Sequence, residues 1–139
     1  MKKLLCLILT AALLLSLAAC GTSAEKADFS ADSVIVYDLC EGWSREITDP
    51  EALAALSGLD STGWTALRDP AKQVSACAVY VMDFGNGTVV GYLGDGYIVL
   101  GTGFEWRNDE RTAYRIADSV QYQVPQEVTA LLWEIITAE

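Results

Sequence analysis

The sequence predicts an α+β domain: a mostly antiparallel sheet of about five to six strands, one short helix at about 49–58 and a C-terminal helix at about 125–137. Short β-branched and aromatic runs announce the sheet. Gly85-Asn86-Gly87 and Gly94-Asp95-Gly96 separate them, and Asn-Gly or Asp-Gly between such runs marks a tight hairpin. The helices are announced by a start signal at Thr48-Asp49-Pro50-Glu51 and by an apolar stripe of period 3.6 near the C-terminus. Length and composition agree. Beyond residue 19 the chain has 120 residues, 57 of them hydrophobic, which suits one globular domain, 34–139, and not a disordered chain.

Val34 to Leu39 is β-branched and aromatic and reads as the first strand. Glu41-Gly42 turns the chain, and residues 44–48 return as a more polar strand. Asp49 then caps a helix with Pro50 at its first position, or Thr48 and Glu51 form a capping box. Leu53, Leu56 and Leu59 line one side of that helix with Ala52 and Ala55, and Gly58 stops it. Residues 60–74 are polar and irregular, with Trp64 and Leu67 as anchoring side chains. Strands are expected at 76–84, 88–93 and 97–100, and another at 112–117 after the charged turn 107–111. Pro125 opens the last helix, in which Val128, Leu131, Leu132, Ile135 and Ile136 form one stripe. Both helices are expected on a single face of the sheet.

The N-terminal twenty residues have a different character. Lys2 and Lys3 precede an apolar run from Leu4 to Ala19 that only Thr10 and Ser16 interrupt. The run is shorter than the roughly 20 residues a membrane-spanning helix needs, and it ends in small residues, as a secretory signal does. Leu17-Ala18-Ala19-Cys20 resembles the lipobox of bacterial lipoproteins. That resemblance implies cleavage of residues 1–19 as a signal peptide and attachment of a diacylglycerol to the Cys20 thiol, with further acylation of the new N-terminus. Two or three acyl chains give a stable anchor where one is marginal. The rest of the chain resembles small lipoproteins of Gram-positive bacteria only loosely, and that likeness supplies no functional residues. Residues 20–33 lack an apolar pattern and read as a flexible tether, about 45 Å long when fully extended. The expected location is therefore the cell membrane, lipid-anchored on its extracytoplasmic side.

Composition removes several functions. Seven basic against 19 acidic groups beyond residue 19 leave a net charge of −12, which opposes nucleic-acid binding. The chain has no histidine, so Ser-His-Asp and Cys-His catalysis are excluded, as are most zinc sites. No glycine spacing matches a nucleotide-binding fingerprint, no GK[ST] occurs, and neither a metal nor a cofactor is expected. Asp83, Asn86 and Asp95 border two turns, where Asx residues have a local role.

The candidate sites are few. Export would place Cys40 and Cys77 in an oxidising compartment, where they allow one pairing; the alternative is two buried free thiols. Tyr80, Tyr92 and Tyr97 are the candidate partner surface, since two helices cover one face of a two-sided apolar sheet more easily than both. The competing expectation is that the N-terminal hairpin and residues 60–74 cover the second face. The cluster Arg107, Asp109, Glu110 and Arg111 suits a solvated turn. The function expected is a non-catalytic binding or accessory module for an envelope protein or peptide. The alternatives are a small-molecule binder with an aromatic-lined pocket, or a hydrolase built on carboxylates.

Overall fold

The β-branched run at the start of the domain forms β1 (Val34–Asp38), and the chain returns antiparallel as β2 (Ser44–Ile47), with Val34 opposite Ile47. Asp38 shapes the turn between them. Its carboxylate accepts the amide hydrogens of Cys40 at 2.8 Å and Glu41 at 2.7 Å. The computed structural model describes residues 26–138. The expected signal peptide, residues 1–19, and residues 20–25 of the expected tether, Cys20 among them, lie outside the described residues.

Helix α1 (Pro50–Ser57) resolves the choice at its start: the Asp49 carboxylate accepts from the Ala52 amide, and Pro50 opens the first turn. A cap of this kind stabilises a helix end by about 1 kcal/mol. Gly58 follows the helix, but at φ −79° it is right-handed, not a left-handed cap. Gly58 is still the C-cap residue at which the helix ends, as expected, and Asp60 then caps a single 3-10 turn at Ser61–Gly63.

Among the described residues seven further strands complete two sheets: β3 (Thr65–Ala66), β4 (Tyr80–Asp83), β5 (Val89–Gly94), β6 (Tyr97–Gly101), β7 (Gly103–Trp106), β8 (Tyr114–Ala117) and β9 (Val120–Gln123). Seven of the nine strands form one antiparallel sheet in the order β2-β1-β4-β5-β6-β9-β3, and β7 pairs with β8 in a second. The strand count therefore exceeds the five to six expected. The additions are β3, β7 and β9, each of two to four residues. The strand expected at 76–84 begins only at Tyr80, because the chain bends at Val79 and Ala78 packs on the opposite face with Val81 and Val89. At the β5–β6 turn Asp95 has φ +24° between Gly94 at +95° and Gly96 at +83°, a backbone that glycine makes accessible.

Helix α2 (Gln126–Thr137) follows Pro125, which stands at the cap position, outside the helix. Leu132, Ile135 and Ile136 are buried from its stripe, and Thr129 is buried with them. The Thr129 hydroxyl accepts the Gly96 amide at 3.0 Å and donates to the Gln126 carbonyl at 3.1 Å, which ties the helix start to the β5–β6 turn. At the other end Arg45 of β2 donates to the carbonyls of Ile135 and Ile136. The last turn of α2 has no basic residue of its own, so a strand supplies the cation that helix C-termini favour.

Both helices pack on one face of the large sheet, around Val34, Val36, Met82, Val90 and Ile98. The other face is covered as well, chiefly by the β7–β8 hairpin, whose Phe104 and Ile116 rest against Tyr37, Leu39, Val81 and Val89. The hairpin approaches so closely that a Cβ on Gly101 would meet the Ile116 side chain and lie 2.6 Å from the Ala117 carbonyl oxygen.

The segment expected as a tether is different where it is described. Phe29 is buried, 5.5 Å from Trp64 and 5.6 Å from Phe84 between ring centroids. The Ala27 amide donates to the Ser61 hydroxyl, and the Asn86 side chain donates to the carbonyls of Asp28 and Ser30. Residues 26–33 are thus fastened to the domain, because one aromatic in a polar run finds a core position.

Candidate functional site

Four aromatic rings line up where α2 leaves the sheet partly open. Tyr80 of β4 and Tyr92 of β5 are direct cross-strand partners, so their side chains rise side by side on the helix face. Trp133 stands above them on the exposed flank of α2. It stacks on Tyr92 at 5.7 Å with 29° between planes and meets Tyr80 edge-on at 6.0 Å. Trp43, just before β2, extends the row to Tyr80 at 6.4 Å. Trp133 is 46% exposed and Trp43 39%, against half-buried tyrosines. The polar ends of Tyr80 and Tyr92 support this arrangement. Burial raises both hydroxyl pKa values above 10.0, and nearby negative charge adds to it: Asp38 and Glu41 at Tyr80, Asp95 at Tyr92. Both rings are therefore neutral phenols in a negative local field throughout the physiological range.

Beside the row, Tyr92, Asp95, Gln126, Thr129, Ala130 and Trp133 enclose a shallow recess of about 380 Å³. On the other flank of α2 a larger groove, about 530 Å³, separates it from α1 and ends at β2.

The candidate partner surface is only partly assembled. Tyr80 and Tyr92 meet, but under the edge of α2 and not on an uncovered face. Ile98 and Leu100 of β6 pack on the helix side, so Tyr97, alternating with Ile98, belongs to the opposite side. It lies outside the row. Sequence reading missed Trp133 as a site residue, although its place off the apolar stripe of α2 marks it as outward-facing.

Cys40 and Cys77 carry free thiols, and both are exposed, in contrast to the buried pair that stood as the alternative to a bridge. Asp83, Asn86 and Asp95 serve their turns: Asp83 accepts the Gly85 amide, Asn86 accepts that of Thr88, and Asp95 holds a positive φ. The charged cluster at 107–111 is a turn organised by Asn108, whose side-chain Oδ1 accepts the amides of Thr112 and Ala113.

No protein-family model, curated protein sequence or solved structure matches the chain.

Proposed function

We propose that this protein is a lipid-anchored, non-catalytic binding module on the outer face of a bacterial plasma membrane, and that it contacts a protein partner through the row Trp43, Tyr80, Trp133 and Tyr92. The observation that carries the contact surface is Trp133. A tryptophan 46% exposed at the centre of an aromatic row is the residue type and placement that dominate protein interfaces. The lipobox-like Leu17-Ala18-Ala19-Cys20 supports the anchor. With Ala27 fastened to the domain, the spacer from Cys20 is six residues, at most about 20 Å, so the partner is itself at the membrane surface.

In-cell crosslinking with mass spectrometry of the captured proteins tests the contact. A membrane-associated partner recovered with the native chain and lost with Trp133→Ala, under unchanged folding, supports the reading; equal capture by both overturns the surface. Metabolic labelling with palmitate tests the anchor, since Cys20→Ala abolishes incorporation if Cys20 is the acylated residue. A second reading, a small ligand stacked on Trp133, rests on the recess between Tyr92 and Gln126. It predicts that a compound library raises the melting temperature of the native domain and not that of Trp133→Ala.

A further inference from the structure

The groove on the far flank of α2 meets an open sheet edge. β2 is the terminal strand of the large sheet, and among the described residues no group pairs with its outer side. The Asp38 amide donates to the Trp43 carbonyl at 2.9 Å, which fixes the alternation of the β1–β2 ladder. Pairs 36/45 and 34/47 are then hydrogen-bonded inward, while the N–H and C=O groups of Ser44 and Glu46 point outward. The other edge, β3, is only two residues long, a common way to blunt an edge. β2 has no such protection from Arg45, whose guanidinium is turned inward to the end of α2.

The groove beside this edge has an apolar floor, Ile47, Ala52, Leu131 and Ile135, and an acidic mouth with Asp49, Glu51 and Glu134. Glu46 adds negative charge on the opposite side of the strand. Arg45, the single cation in the lining, is occupied by two carbonyls.

We propose that β2 and this groove receive an extended, basic segment of a partner protein by strand addition. The backbone of the segment pairs with Ser44 and Glu46. Its alternate side chains enter the apolar groove, and its Lys or Arg residues face Glu46 and the acidic mouth. A second copy of this chain fits poorly, because each domain carries the same strong negative charge. This site is independent of the aromatic row.

The test uses a short synthetic peptide alternating Val and Lys, with a Val/Glu peptide and an N-methylated Val/Lys peptide as controls. Fluorescence anisotropy should show binding of the Val/Lys peptide alone. Glu46→Lys should weaken it about tenfold or more, and Ala55→Arg, an exposed helix position, should block the groove. Trp133→Ala should leave it unchanged. Hydrogen exchange should show the Ser44 and Glu46 amides fast in the free domain and protected in the complex. Absence of binding overturns the proposal, as does equal binding of the Val/Glu peptide or binding without protection of those two amides. Protection that appears with domain concentration alone overturns it too, and identifies self-pairing at this edge.

Discussion

Gly101 is the residue on which the two-sheet arrangement turns. The chain leaves β6 there and folds back within Thr102 to start β7, so the hairpin lies directly against the strand it follows. Any β-carbon at this position collides with Ile116 and the Ala117 carbonyl, and backbone cannot move aside as a flexible side-chain end can. Gly101→Ala is expected to destabilise the domain by about 1–3 kcal/mol, the range for overpacking in a closed interior. Urea denaturation checks this. Gly91 is the informative comparison: its added Cβ would meet only side-chain carbons, at 3.1 Å or more, so Gly91→Ala should cost less than Gly101→Ala. Equal losses would show that the hairpin can shift as a unit.

At the scale of elements, what the sequence discloses depends on how far each element's pattern extends. The stripe of α2 spans more than two turns, and the Asp49-Pro50 start of α1 is a local chemical signal; both helices were legible. So were the hairpins marked by Asn-Gly and Asp-Gly. β3 was not, because two residues show no alternation, and β9 is four residues, Val-Gln-Tyr-Gln, whose alternation is right but brief. β7 begins at a glycine that resembles another turn. Phe29 was hidden by its polar neighbours, and the row at Trp133 was hidden because it joins side chains from the β1–β2 turn, β4, β5 and α2. Two long-range ties missed in this way carry predictions. Arg45→Ala removes both hydrogen bonds to the last turn of α2, so it should destabilise the domain by about 1–2 kcal/mol and speed amide exchange in that turn alone. Phe29→Ala empties a position between Trp64 and Phe84 and should cost about 3–5 kcal/mol. Limited proteolysis should then cut within 26–33, where the native chain resists. If the variant keeps both stability and resistance, the segment is held by the Asn86 and Ser61 hydrogen bonds instead.

Over the whole molecule, the absence of histidine and the distribution of shifted groups define a pH profile. Tyr37, Tyr80, Tyr92 and Tyr114 all have hydroxyl pKa values raised above 10.0, with burial as the leading cause in each. A group whose folded pKa lies above its unfolded one keeps its full contribution below the unfolded value and loses it as pH rises through the folded value. Stability should therefore fall above about pH 10. At the acid end, Asp28 and Asp60 have lowered pKa values, held down by hydrogen bonds from Ser30 and Thr62 respectively. Their contribution is complete above the unfolded value of 3.8 and lost as pH falls below it. Between these limits the chain has no imidazole to titrate near pH 6.5. The melting temperature should thus be flat across the neutral range, with a decline at each end, and the alkaline decline should coincide with tyrosinate absorbance. The negative charge of the domain works in the same direction at high pH, since every ionised phenol adds to the self-repulsion of an already acidic chain. Added salt should soften the alkaline decline while leaving the neutral plateau in place. A step in stability between pH 6 and 8 would contradict this account, because among the described residues no group with a shifted pKa would explain it.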